Sequence, residues 1–188
     1  GVLLGSARLA AAEVRPTAVR VTGPVGSGKT RLWREAARAL PSAVEGARVL
    51  SARCDPARRD VPFAALRDAL AEAVDPRVAE ALADLARAGD AQLAQDRVRG
   101  SFVGLLRSLR GEGPLVLCVD DAQWLDAPSR SLLRWACDAA PDLPLALWLL
   151  ARPEAREALS AAAPDAQALD LRPLERADAE ALLRAAGA

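Results

Sequence analysis

The only lysine of the chain, Lys29, lies in Gly23-Pro24-Val25-Gly26-Ser27-Gly28-Lys29-Thr30, a complete GxxxxGKT pattern. Each residue type in it answers a requirement of triphosphate binding. Glycines at 23, 26 and 28 permit left-handed turns and close backbone approach, so that successive N–H groups converge on phosphate oxygens. A helix beginning near Lys29 adds the positive end of its dipole. Lys29 brings a compact, rotatable ammonium suited to spanning the β- and γ-phosphates, and the Thr30 hydroxyl is a ligand for magnesium. All other positive charge in the chain is arginine. The pattern predicts a nucleoside triphosphate held by residues 23–31, from Gly23 through Arg31, against the plainer reading of a Gly-rich turn before a helix.

Such a loop needs a strand before it and a helix after it. Ala18 to Thr22 is a short β-rich run, and Leu32, Trp33, Ala36, Ala37 and Leu40 recur behind the loop at helical spacing. A second apolar run, Leu115 to Val119, ends in Asp120-Asp121. An acid closing a buried strand stands at the carboxyl edge of the sheet, where ligands bind in open α/β folds. Asp120 is expected to hold magnesium through water, and Asp121 either orients an attacking water or is only a strand-end turn residue. Arg152 follows a further run, Leu145 to Leu150, and is either a γ-phosphate contact or a solvated arginine. Asp126, before Ala127-Pro128-Ser129, reads as a helix cap, and Trp124 as a packing anchor.

With Ala47 to Ala52 and Gln167 to Leu171, five β-compatible segments alternate with helical patterns, which predicts a parallel sheet covered on both faces. Arg53 to Pro114 reads as wholly helical. Phe63, Leu66, Leu70 and Val74 mark one amphipathic helix, and Val98, Phe102, Leu105 and Leu109 another. Arg53, Arg58 and Arg59, interleaved with Asp55 and Asp60, read as a solvated surface.

The 188 residues suit one domain, and 52% hydrophobic content is ample for its core. Twenty-five basic and 25 acidic residues cancel, leaving no overall footprint for nucleic acid or an anionic membrane. The longest apolar stretch, Leu143 to Ala151, contains Pro144 and is too short to span a bilayer. Gly1 to Leu4 is followed at once by a polar turn, unlike a signal peptide. Cys54, Cys118 and Cys137 are odd in number and widely spaced, which fits reduced thiols and a cytoplasmic setting. A chain that starts at Gly1, contains no methionine and stops after a short helical pattern is expected to be a piece of a longer protein.

Asp120-Asp121-Ala122-Gln123-Trp124-Leu125-Asp126 brings a family into view. The chain resembles the ATPase domain of the large ATP-binding regulators of the LuxR type, in the signal-transduction (STAND) branch of P-loop ATPases, whose members often read DDxHWxD at this point. Gly23 to Leu32, Ser51 to Asp55 with Pro62 to Leu66, Leu149 to Glu154, and Leu169 to Leu174 followed by Asp178 to Leu183 are similar to further segments of that family. The resemblance implies a P-loop NTPase three-layer α/β sandwich of the ASCE type with strand order 5-1-4-3-2. It also implies ATP and Mg2+ as ligands, and a parent protein in which nucleotide exchange or hydrolysis switches a regulator between closed and open states. Self-association, effector binding and DNA binding would belong to other parts of that parent, with no direct nucleic-acid contact and no membrane contact from this segment. Two departures stand out. Gln123 occupies a position usually held by His, and Gly5-Ser6-Ala7-Arg8 lacks the Gly-Arg pair that often precedes the first helix.

Three activities compete: a regulatory, slowly hydrolysing ATPase, a nucleotide-binding scaffold without turnover, and a small-molecule kinase. A kinase requires an acceptor pocket with its own base, which no constellation after Leu150 supplies. Guanine recognition of the NKxD kind needs a second lysine, which the chain lacks.

Overall fold

In the computed structural model, which describes residues 1–73 and 91–173, the five β-rich runs form one parallel sheet. The strands are β1 (Thr17–Thr22), β2 (Arg48–Arg53), β3 (Leu115–Asp120), β4 (Leu145–Ala151) and β5 (Gln167–Asp170). Their order across the sheet is β2-β3-β4-β1-β5, the expected 5-1-4-3-2 counted from the other edge. Each boundary lies within one residue of its expected place, and β3 extends to include Asp120 itself.

Burial explains why these runs are strands. Every residue of β3 and β4 is buried, as a strand covered on both faces must be, and successive side chains feed opposite cores. Leu115, Leu117 and Val119 enter one apolar cluster, Val116 and Cys118 the other. Helices α1 (Val2–Glu13) and α2 (Lys29–Ala43) cover the Val116 face. The Leu117 face is covered by α3 (Ala64–Ala73), α4 (Ala91–Leu109), α5 (Ala127–Ala139) and α6 (Arg156–Ala162). The edge strand β2 is different. It alternates after its first two exposed residues, with Leu50 and Ala52 inward and Ser51 and Arg53 outward.

Several expectations need correction. The polar turn after Leu4 is absent, because Gly5, Ser6, Ala7 and Arg8 all lie within α1 instead of ahead of the first helix. Ser6 is tolerated there because its hydroxyl donates to the Leu3 carbonyl at 2.8 Å and accepts from the buried Trp148 indole at 2.9 Å. The stretch from Arg53 onward is not wholly helical either. Arg53 ends β2, and a short 3-10 turn at Pro56–Arg58 capped by Asp55 precedes α3. Phe63 stands outside α3 with φ +58°, so the apolar face of that helix is built on Leu66 and Leu70; Val74 lies outside the described residues. On α4 the buried seam runs through Val98, Phe102, Leu106 and Leu109, with Leu105 only half-buried. The segment from Leu174, including Asp178 to Leu183, also falls outside the described residues.

Asp126 caps α5 as expected. Its carboxylate accepts from the Ser129 backbone N–H at 2.8 Å and from the Ser129 hydroxyl at 2.7 Å, and it also receives the Phe63 N–H at 3.2 Å. One buried acid thus closes a helix end and fixes the unusual backbone of the loop ahead of α3.

The Ser6–Trp148 contact joins α1 to the centre of the sheet. Ser6→Ala leaves a fully buried indole N–H without an acceptor and is expected to lower unfolding stability by about 1–3 kcal/mol, read from urea denaturation. A variant as stable as wild type contradicts this role.

Candidate functional site

The predicted residues lie at and just after the carboxyl ends of β1, β3 and β4. β1 ends at Thr22, paired in register with Ala151 of β4, and the Gly23 N–H donates to the Ala151 carbonyl at 3.2 Å. The loop then runs from Gly23 to Gly28, and α2 begins at Lys29.

The three loop glycines serve two purposes. Gly26 and Gly28 have φ of +81° and +85° in open space, so their requirement is conformational. Gly23 is a steric requirement: a Cβ there would lie 2.5 Å from the Ser27 Oγ and 3.0 Å from the backbone oxygen of Leu171, which leaves β5. Lys29 is buried, with its ammonium donating to the carbonyls of Gly23 at 2.7 Å and Pro24 at 2.9 Å. The lysine therefore lies across the inside of its own loop. Pro24, Val25, Gly26 and Gly28 are exposed at the mouth, and so is Arg31 on the first turn of α2.

Asp120 is the focus of the second half. It is 5% exposed. Its Oδ2 accepts from the Thr30 hydroxyl at 2.8 Å and from the Trp33 indole N–H at 3.1 Å, while Oδ1 accepts from the Asp121 N–H at 3.0 Å. Thr30 and Trp33 are three residues apart on one face of α2, so a single helix supplies two donors to one carboxylate. Thr30 and Asp120, the two residues predicted for the metal, are in direct contact.

Asp121 has left-handed backbone (φ +55°), a conformation that Asp tolerates better than most residues. Its Oδ1 accepts from the Gln123 amide at 3.2 Å, and its Oδ2 lies 3.7 Å from Arg53 Nε. Arg152 is exposed, and its backbone N–H donates to the Gln123 side-chain oxygen at 3.2 Å. Gln123 thus touches both outer candidates. Arg58 and Arg59 form ion pairs with Asp68 and Asp60, consistent with a solvated surface, and Trp124 packs half-buried against the core.

Three of these partners escaped sequence reasoning. Trp33 was visible only as an apolar position of a helix; its place three residues after Thr30 was the available signal. Gln123 registered as a departure from a family pattern, and Arg53 as one more solvated arginine. The register Arg53↔Asp120 between β2 and β3 is what brings Arg53 beside Asp121.

Beneath the site lies Cys54, whose N–H donates to the Asp120 carbonyl at 3.0 Å. Burial, reinforced by the charges of Asp126, Asp121 and Asp120, pushes its thiol up to about 12. Burial also raises Cys118 well above the usual thiol range and Cys137 to about 11. All three cysteines are free, and burial disfavours their thiolate forms.

The residues fit a triphosphate with a divalent cation. The Ser27 Oγ is buried without a hydrogen-bond partner among the described residues, inside a loop that precedes a helix N-terminus. The Lys29 ammonium has three donors and spends two on loop carbonyls. A hydroxyl and a carboxylate, both hard oxygen donors suited to Mg2+, meet beside them.

The profile of the AAA ATPase domain family matches residues 4–150, most of the chain. The chain belongs to the AAA ATPase domain family. This AAA domain is also similar to a chain in the structure of Drosophila ORC bound to DNA, with a TM-score of 0.56 and 21% identity. The match covers 89% of this chain and 40% of the ORC chain, and at that identity it speaks for the P-loop NTPase fold alone. No curated protein matches. Among the described residues no helix is long and apolar enough to cross a membrane.

The two kinds of glycine separate experimentally. Gly23→Ala is expected to cost roughly 1–3 kcal/mol of stability, because backbone of the β5 exit must move. Gly26→Asn, although larger, is expected to cost less, since Asn tolerates positive φ and meets open space. Chemical denaturation of both variants checks the order, and a Gly26→Asn cost above that of Gly23→Ala overturns it.

Proposed function

We propose that the chain is the ATP-binding, slowly hydrolysing regulatory module of a signal-transduction ATPase of the LuxR-type regulator kind. The observation that carries the reading is the Thr30–Asp120 contact beside the Lys29 loop, since it puts the donors for phosphate and for a divalent cation side by side. In this reading the loop from Gly23 to Thr30 and the first turn of α2 hold the β- and γ-phosphates. Lys29 exchanges carbonyl contacts for phosphate oxygens, and Arg31 lies outward at the mouth. Thr30 and Asp120 hold Mg2+, whose chemistry is to neutralise charge developing on the phosphates. Asp121 orients the attacking water, and Arg152 reads the γ-phosphate.

The state of Asp121 supports slow turnover in this reading. Its carboxylate is short, and it is already engaged by Gln123 and faced by Arg53, so it must leave those partners to align a water. The same observation favours a second reading, a nucleotide-dependent scaffold without turnover. Single-turnover phosphate release separates the two: slow release that Asp121→Asn abolishes supports the ATPase, and no release supports the scaffold. The regulatory role in transcription rests on the resemblance in the segment Asp120 to Asp126 and on the AAA domain that underlies it.

Lys29→Ala is expected to abolish measurable Mg-ATP binding by calorimetry, because the loop loses its one ammonium. Asp120→Asn is expected to remove the part of ATP affinity that depends on Mg2+, whereas Asp121→Asn leaves binding intact. Equal losses in the two Asp variants would refute the division of roles. Arg152→Ala is expected to weaken ATP relative to ADP by about five- to a hundredfold, corresponding to about 1–3 kcal/mol for a charge-assisted contact. An unchanged ATP to ADP ratio removes Arg152 from the site.

A further inference from the structure

We propose that Trp33 is a positioning residue for the cation site, acting through the Asp120 carboxylate; this rests on the reading of Asp120 as the cation-holding acid. Asp120 Oδ2 takes two donors, the Thr30 hydroxyl and the Trp33 indole N–H, and they are chemically unlike. A hydroxyl donates and accepts, so Thr30 can offer a lone pair to a cation. An indole N–H only donates and cannot ligate a metal. Its one polar service in this place is to the carboxylate.

Orientation matters here because Mg2+ tolerates little departure from octahedral geometry. Asp120 ends a strand, and the donors around its carboxylate set how the side chain turns about its two bonds. The Asp121 N–H fixes Oδ1 and Trp33 fixes Oδ2, so the plane of the carboxylate is set from both sides before any cation arrives. Trp33 is in turn held by α2, the helix that also carries Lys29 and Thr30. Trp33 and Asp120 also line, with Arg53 and Glu72, a cavity of about 280 Å3 between α2, β2 and α3. Groups that orient a metal-holding carboxylate in this way typically account for 10- to 100-fold in metal affinity.

The test compares ATP affinity with Mg2+ and with EDTA, by calorimetry, in wild type, Trp33→Phe and Asp120→Asn. Trp33→Phe keeps the aromatic body and deletes the N–H. The ratio of the two affinities is expected to fall about 10- to 100-fold in Trp33→Phe, with the EDTA value unchanged within about twofold. Adding Trp33→Phe to Asp120→Asn is expected to lower the ratio no further. A spectroscopic readout stands beside this one: of the four tryptophan indole N–H resonances, the one missing in Trp33→Phe is expected to shift in wild type when Mg2+ joins ATP. An unchanged ratio in a folded Trp33→Phe, or an indole resonance that Mg2+ leaves unmoved, overturns the proposal. Should Trp33→Phe fail to fold, the Trp33 indole resonance is assigned from through-bond spectra of the wild type, and its response to Mg2+ alone decides. Failure of the underlying reading looks different: Asp120→Asn then keeps the full Mg2+ dependence, or wild type shows none.

Discussion

A carboxylate at the end of a strand buried along its whole length has to be satisfied by the protein, and Asp120 is such a carboxylate. It receives one N–H from its own chain and two side-chain donors from α2. β4 separates β1 from β3, so the end of β3 lies about 9–10 Å from the end of β1 and its loop. Backbone pairing alone cannot join the two. The helix that follows the loop reaches across instead, and in satisfying Asp120 it fixes its own rotation about its axis and the position of its first turn. The phosphate loop hangs from that turn, so its location relative to β3 is a consequence of burying one acid.

The shape of the loop has separate causes. Gly26 and Gly28 supply backbone that other residues adopt with strain, Gly23 allows Ser27 and the exit of β5 to pack against the loop, and the Lys29 ammonium binds its inner carbonyls. At its foot, the Thr22 hydroxyl donates to Asp170, which also pairs with Arg156 at 2.7 Å, and the Leu171 N–H donates to the Thr22 carbonyl at 2.6 Å. These contacts hold the loop from β5, as Asp120 holds the helix from β3. A loop anchored at both ends pays little ordering entropy on binding, which is how preorganisation raises affinity without adding contacts.

Much of this was legible in the sequence for physical reasons. A strand buried on both faces must be continuously apolar, so Leu115 to Val119 and Leu145 to Leu150 announced themselves, and the glycine spacing announced the loop. Strand order came from resemblance, since apolar runs carry no information on which neighbours they pair with. Misreadings arose where a residue's partner is distant in sequence. Gly5-Ser6 has turn composition, yet Ser6 finds an acceptor one turn back and a donor 142 residues away. Phe63 fits a helical period but takes a left-handed conformation because Asp126, 63 residues on, receives its N–H. The three-residue spacing of Thr30 and Trp33 lets both face one way from a helix, but it cannot say which acid that face meets.

The two acids at the end of β3 illustrate how adjacent residues of the same type are given different freedom. Asp120 is buried and has three donors, so turning it breaks several charge-assisted contacts at once. The Asp121 side chain is 35% exposed, has one hydrogen bond at 3.2 Å, and faces a largely exposed Arg53 at 3.7 Å, where water screens the pairing. What restrains Asp121 is Gln123, whose amide donates to it while its oxygen accepts from the Arg152 N–H. An uncharged amide can serve as donor and acceptor simultaneously, so one side chain ties the end of β3 to the end of β4. Displacing the Arg152 backbone therefore removes the donor that holds the Gln123 side-chain oxygen and, through Gln123, loosens the amide that fixes Asp121. The inner acid is set by the fold, whereas the outer one answers to the position of a neighbouring strand end, so that in the proposed reading the ligand is held firmly while the geometry of its chemistry stays adjustable.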